Sequence, residues 1–356
     1  MKNDSKARAV NKARTLFFIT LSGLVVAAAF ALVAFGLNTV ALTKAIILGC
    51  FITLVCGYFE LFVFPKKLKN VKFVSTLLLK TFFYVLVITI PTLLLWVIHE
   101  SMVNNTGIMR TIASDDFNNF IFRGDFKIIL FFSLTAGFLL NFFAQISSLI
   151  GKRVFMNYLS GRYNKPKVEV RTFMFLDLSS STTIAENLGP LKYHKFMNEY
   201  FYDIDGPIVE SKGEIYQYVG DEVIISWIGD KAFVNNNCIN CFFRIREIIF
   251  FLESKFNNEY GVVPEFKGGV HTGEVVAGEI GDSKKEIVFH GDVMNTASRI
   301  QAKCKELGKE LLISQDVYKG LELKSDLEFE ELGGFTLKGK SQNIKLFSVT
   351  KKLENS

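Results

Sequence analysis

Polar positions are scarce in the first part of the chain and frequent in the rest. Leu16–Leu37 and Ile128–Ile150 carry no charged residue, Ala45–Phe64 carries only Glu60, and Leu77–Ile98 only Lys80. A helix rises about 1.5 Å per residue, so about 20 residues cross the roughly 30 Å hydrocarbon core of a bilayer. All four runs reach that length, which predicts four membrane-spanning helices rather than buried helices of a soluble core. The first is too long for the apolar segment of a signal peptide, and no small-residue cleavage site follows it.

Beyond Ile150 the pattern changes. Phe155, Tyr158 and Leu159 recur at helical spacing, which predicts a short connecting helix within Gly151–Pro166, closed near Gly161 and bounded by Lys165-Pro166. Strands are then predicted at Val168–Leu178, Glu214–Val219, Val223–Ile228, Glu265–His271, Val275–Glu279, Glu286–His290, Glu310–Ser314, Phe329–Leu337 and Ile344–Thr350. Helices are predicted at Thr182–Leu188, from Pro190 to Lys212-Gly213, at Ala232–Tyr260 and at Asp292–Leu307. In the second of these, Phe196, Tyr200, Ile204 and Ile208 make one apolar face. This order reads as an α+β domain preceded by an all-α transmembrane domain. The divisions are a tail at 1–15, a four-helix membrane domain at 16–150, a connector at 151–166 and a folded domain at 167–356.

Composition agrees with two unlike parts: 49% of residues are hydrophobic, yet 21% are charged. Thirty-six Phe exclude a disordered chain and six Pro a collagenous one. Five Cys, two of them inside an apolar run, do not make a disulfide framework. The net charge of +6 is mild and suggests no nucleic-acid partner; its distribution matters more. Lys2, Lys6, Arg8, Lys12 and Arg14 precede the first span. Lys66, Lys67, Lys69 and Lys72 separate the second and third, and Lys152, Arg153 and Arg162 follow the fourth. The other side has Lys44 and the loop His99–Lys127, where acidic residues dilute Arg110, Arg123 and Lys127. The bias puts both termini in the cytoplasm of a multi-pass plasma-membrane protein in contact with the lipid bilayer.

Two acids stand out. Asp177 closes the apolar strand Phe173-Met174-Phe175-Leu176, just before Ser179-Ser180-Ser181-Thr182, and Asp221 sits at the tight turn Gly220-Asp221. Carboxylates at neighbouring strand ends can chelate divalent ions for displacement at phosphorus, and a following helix start can hold phosphate oxygens. Read singly, Asp177 is equally a helix N-cap and Asp221 a turn residue.

The wider pattern resembles the class III nucleotidyl cyclases. MFLDLSSST, YQYVGDEVIISW, GGVHTGEVVAGEIG, FHGDVMNTASRIQ and LKGK stand in that family's order and spacing between Val168 and Thr350. The resemblance implies a ferredoxin-like palm, with a mixed, mostly antiparallel sheet flanked by helices. It implies that Asp177, Asp221 and the Leu178 carbonyl hold two Mg²⁺ or Mn²⁺ ions per site. Asn295 and Arg299 would orient the ribose and stabilise charge on the α-phosphoryl group, and Lys338 would hold the terminal phosphates. Ser180, Ser181 and Thr182 would lie along the triphosphate, and Gln217 and Val288 would face the base. One chain would supply the metal pair and the other Asn295, Arg299 and Lys338, so a homodimer is implied.

Three positions depart from the family pattern. Gln217 replaces the Lys of adenylate cyclases and the Glu of guanylate cyclases. Val288 matches neither set, and Ser180 stands where Gly is common. A carboxamide can pair with either purine edge. The resemblance favours ATP, since most bacterial members make cyclic AMP; a guanylate cyclase and an inactive nucleotide-binding receptor are the alternatives. Cys238 and Cys241 on a predicted helix are read as core packing, His271 and His290 as structural, with His290 next to the base-reading segment, and the Phe-rich stripe Phe242, Phe243, Phe250 and Phe251 as core or dimer surface. Asn141 and Gln145 are read as interhelical hydrogen-bonding groups.

Overall fold

A computed structural model describes residues 2–68, 71–124, 126–322, 326–336 and 343–352. The chain divides into two compact units, Met1–Phe155 and Met156–Ser356.

The first unit is helical: α1 (Lys2–Phe35), α2 (Thr39–Tyr58), α3 (Phe64–Lys67), α4 (Phe73–Val103), α5 (Ile108–Ile112), α6 (Asp115–Phe122) and α7 (Phe126–Ile150), with α8 (Lys152–Leu159) leading out. Among the described residues four stretches are long and apolar enough to cross a membrane: Lys12–Val33, Thr39–Val63, Phe73–Val103 and Asp115–Ile150. The second starts at Thr39 rather than Ala45, because the Asn38 carboxamide accepts from Val40 N and Ala41 N at 3.1 Å and caps the helix early. The segment His99–Lys127 is not plain loop. It holds α5 and α6, the latter capped by Ser114, and Phe120 stacks on Trp96 at 4.5 Å. A π-helical turn, Phe59–Val63, carries Glu60, which accepts from Lys80 Nζ at 2.7 Å and Tyr84 Oη at 2.6 Å. These two charges in apolar runs therefore satisfy each other across helices. Asn141 departs from its reading: it donates to Gly137 O of its own helix at 2.8 Å.

The second unit is built on one sheet. In chain order its elements are β1 (Lys167–Leu178), α9 (Ser181–Leu188), α10 (Pro190–Glu210), β2 (Glu214–Val219), β3 (Glu222–Ile228), α11 (Asn237–Phe251), α12 (Glu253–Tyr260), β4 (Phe266–Ile280), β5 (Glu286–His290), α13 (Asp292–Leu307), β6 (Leu311–Ser314), α14 (Gln315–Gly320), β7 (Leu327–Thr336) and β8 (Asn343–Lys351). The strand order is β2-β3-β1-β4-β6-β8-β7, with β5 paired to the far half of β4. Only β4 and β6 run parallel, so the sheet is mixed and mostly antiparallel, as expected.

Period-two alternation on β1 sorts the core. Met174, Leu176 and Leu178 face the larger cluster with α10 and α11, including Phe196, Tyr200, Ile204, Ile208, Trp227, Phe242 and Ile245. Phe173 and Phe175 face the other side, with Ile224, Val275 and, from α13, Val293 and Ala297. Cys238 and Cys241 are fully buried in the larger cluster, and buried His271 bonds Ser314 Oγ at 2.8 Å.

Two predicted elements were drawn wrongly. The helix Ala232–Tyr260 is two, α11 and α12, broken at Leu252; its start is delayed because Asn235 and Asn236 adopt left-handed φ of 53° and 54°. The strands Glu265–His271 and Val275–Glu279 are one long strand, β4. Gly273 is no turn there: a Cβ on it would lie 2.8 Å from Val293 Cγ2, so the glycine makes room for α13.

Candidate active site

Alternation carries Asp177 onto the α13 face, one step past Phe175, at the end of β1. Its cross-strand neighbours are Glu222 on β3 and Lys267 on β4. Asp221 stands in the β2–β3 turn next to Gly220, whose φ of 64° suits a residue without Cβ. Asp177 is half-buried. Its carboxyl is held above the usual range by burial first and then by Asp221, while a hydrogen bond from Gln301 opposes the rise. Glu222 is pushed up to about 7 by burial, then by Asp177 and Asp221. Three carboxylates thus crowd one strand end, and they raise the proton affinity that a cation would relieve.

The oxygen donors here, two aspartates with the Leu178 carbonyl beside them, suit a hard divalent ion such as Mg²⁺ or Mn²⁺. Among the described residues no three His, Cys, Asp or Glu side chains form a closed cage. Ions held here would complete their shells with substrate oxygens and water. After Leu178 the chain turns sharply, with Ser179 N donating to Glu265 O at 2.7 Å. Ser180 then adopts φ 57° and ψ 27°, a left-handed conformation that favours glycine and costs an L-residue about 1–2 kcal/mol. Its side chain does not cap α9. The N–H groups of the first turn, at Ser181 and Thr182, thus have no side-chain cap from Ser180 and could take an anion. The Tyr193 phenol of α10 is held above its usual range by burial first and then by Asp221 and Asp177, with Ser181 opposing the rise.

Gln217 reaches the same face through a β-bulge. The register shifts between Ile215 and Gln217, so Tyr216 and Gln217 both turn to the α13 side; Gln217 is exposed opposite Ile224. The Tyr216 ring meets Phe289 at 5.0 Å, which ties β2 to β5 next to Val288. Val288 pairs with Gly278 and is half-buried. Buried Arg171 lies over the Phe289 ring at 4.2 Å and bonds Ser226 Oγ at 3.0 Å. Asn295 is exposed and Arg299 half-buried on one face of α13. Among the described residues neither hydrogen-bonds nor ion-pairs with Asp177, Asp221 or Glu222. One chain therefore brings together Asp177, Asp221, Leu178 and the Ser180–Thr182 turn, and it presents Asn295 and Arg299 separately. Lys338 lies outside the described residues.

Glu222, Tyr193 and Gln301 were missed from sequence. Glu222 directly follows Asp221, but its pairing with Asp177 depends on strand register. Nothing local marks Tyr193 or Gln301.

Residues 163–351 match the family model for the adenylate and guanylate cyclase catalytic domain. The chain is 35% identical over 222 residues to adenylate cyclase 2 of Rhizobium meliloti (strain 1021), covering 62% of this chain and 61% of that protein. It is 26% identical to the adenylate cyclase of Anabaena cylindrica, over 50% of this chain and 36% of the other. It thus spans less than two thirds of either relative. The structure of a bacterial light-regulated adenylyl cyclase superposes with a TM-score of 0.51 at 22% identity, over 60% of this chain and 64% of that one, a likeness of fold. The matched segment is the unit that carries Asp177, Asp221, Asn295 and Arg299, and on that match the chain belongs to the adenylate and guanylate cyclase catalytic domain family.

Proposed function

We propose that the chain is a membrane-anchored cyclase that converts ATP to 3′,5′-cyclic AMP and pyrophosphate at sites shared by two copies. The observation that carries this reading is the pairing of Asp177 and Asp221 at one strand end beside the uncapped start of α9. Asp177, Asp221 and the Leu178 carbonyl would hold two Mg²⁺ or Mn²⁺ ions. Such ions, when bound, supply Lewis-acid activation of the ribose 3′-hydroxyl and charge neutralisation at the phosphates. The chain's own groups do the rest. The first-turn amides of α9 hold phosphate oxygens. Asn295 orients the ribose so that its 3′-oxygen lies in line with the α-phosphorus and the departing pyrophosphate. Arg299 stabilises the charge that grows on the α-phosphoryl oxygens. Lys338 has the matching sequence position for the terminal phosphates.

Asn295 and Arg299 stand apart from the carboxylates of their own chain, which supports a homodimer in which each chain completes the other's site. The relatives named adenylate cyclase support ATP; the neutral Gln217 carboxamide leaves GTP as the second substrate to test. The Lys/Arg distribution supports cytoplasmic termini at the plasma membrane, with 1–15 as tail, 16–150 as membrane domain, 151–166 as connector and 167–356 as catalytic domain.

The test is to incubate purified full-length protein with Mn²⁺ or Mg²⁺ and each nucleoside triphosphate, and to identify products by mass. Cyclic AMP and pyrophosphate are expected, and Asp177→Ala or Asp221→Ala should abolish them while the protein stays folded. No cyclic product under any condition, or a variant within about tenfold of wild type, overturns the reading.

A further inference from the structure

Helix α13 has a second polar edge. Gln301 Nε2 donates to Asp177 Oδ2 of the same chain at 3.4 Å. At about 100° per residue, Gln301 lies about 200° around the helix from Arg299, so the two side chains leave α13 on opposite sides. The helix has no slack at this point. A Cβ on Gly269 of β4 would lie 2.2 Å from Gln301 N and 2.7 Å from Ala297 O, so helix backbone rests directly on strand backbone. One turn on, Cys304 Sγ donates to Gly268 O at 3.3 Å. Strand β4 is also the strand whose Lys267 neighbours Asp177. The α13 backbone at Gln301 is thus fixed relative to β4, and from it the amide reaches the Asp177 carboxylate. An amide suits the place, because it donates a proton without adding charge next to Asp177, Asp221 and Glu222.

We propose that Gln301 is a positioning residue for the metal pair of its own chain, and that each α13 therefore serves two sites. Gln301 holds one oxygen of Asp177 and presents the other to the ion. Asn295 and Arg299, on the opposite side, complete the partner's site. The packing of α13 falls to Val293, Ala297, Ile300 and Cys304, which are buried; Gln301 is only half-buried and is not required for it. The proposal rests on the shared-site cyclase reading, and its test separates the two.

Full-length Asp221→Ala and Arg299→Ala chains are co-expressed, so that the only working site joins the carboxylates of the Arg299→Ala chain to the Asn295 and Arg299 of the other. No activity from this pair, with mixed dimers demonstrated, sinks the cyclase reading before Gln301 is at issue. With activity present, Gln301→Met is added to one chain at a time. In the Arg299→Ala chain it should raise the Mn²⁺ concentration for half-maximal rate about tenfold, the lower range for a residue behind a metal ligand, and change the maximal rate less. In the Asp221→Ala chain it should leave the half-saturation where the parent pair has it, which also shows that α13 still folds. A shift from the Asp221→Ala chain, from both chains or from neither overturns the proposal. Binding gives a readout apart from turnover: Mn²⁺ titrated into Arg299→Ala homodimers with uncleaved ATP, followed by the electron paramagnetic resonance of free Mn²⁺. Gln301→Met should weaken that binding by the same factor; unchanged binding overturns the proposal.

Discussion

Gln217 sits at the exposed end of a bulged edge strand, where a side chain can meet a purine edge. Glu at this position would accept from guanine N1–H and repel the lone pair on adenine N1. Gln217→Glu should therefore move preference toward GTP, and Gln217→Lys toward ATP, each by about 1–3 kcal/mol, the worth of a good base-edge contact. Initial rates with the two triphosphates measure the ratio; an unchanged ratio in both variants removes Gln217 from base reading. Glu222 gives a pH dependence. In metal-free protein the folded chain holds its proton to about 7, above the ordinary value of 4.5. Its contribution to stability is thus present in full below the unfolded value and is lost as pH rises through about 7. Melting temperatures in chelator should fall across that window in wild type and fall less in Glu222→Gln; parallel curves contradict this. Asp177 stands out in sequence as an acid closing an apolar strand, and Asp221 as an acid at a tight turn after Gly220. Ser180 was legible as a departure from Gly, and its left-handed φ gives the physical reason for the family's preference. Glu222 and Gln301 were not, since their roles come from partners far along the chain.

Elements with a strong period, β5 and α13, have the bounds their sequence predicts, and so do α10's start at Pro190 and β2. Elsewhere tertiary packing overrode the local signal. The two strands predicted on either side of residues 272–274 are one, and Gly273 within it serves the close approach of α13 to β4. The same geometry makes Gly269 sensitive to substitution. Gly269→Ala places a methyl against the backbone of Gln301 and Ala297, which cannot swing aside. It should destabilise the catalytic unit by about 1–3 kcal/mol or more. At about 2–4 °C per kcal/mol for a domain of this size, calorimetry should show a clear drop in its transition. Activity should fall as well, because α13 carries groups for two sites. A variant with wild-type melting and rate would show that the helix is not clamped at this point. The α11–α12 break at Leu252 and helices α5, α6 and α14 left no signal that periodicity could catch, because each is short or is set by one cap.

For the whole molecule, the division into an apolar helical part and a sheet-based part follows from hydropathy alone, since no soluble core needs four apolar runs of that length. What hydropathy cannot express is the proposed use of two copies. In one chain, the carboxylates of β1 and the β2–β3 turn lie on one side of α13, and Asn295 and Arg299 on the other. A pair of copies related by a two-fold axis can make two complete sites from these halves. Co-expression of Asp221→Ala with Arg299→Ala, each inactive alone, tests this most directly. A mixed dimer has one site with both lesions and one with neither, so random pairing should restore about a quarter of wild-type cyclic AMP formation. Inactive homodimers mixed after separate purification, without exchange, should stay inactive. If tagged mixed dimers are recovered and remain inactive, each chain builds its own site and the shared-site account is wrong.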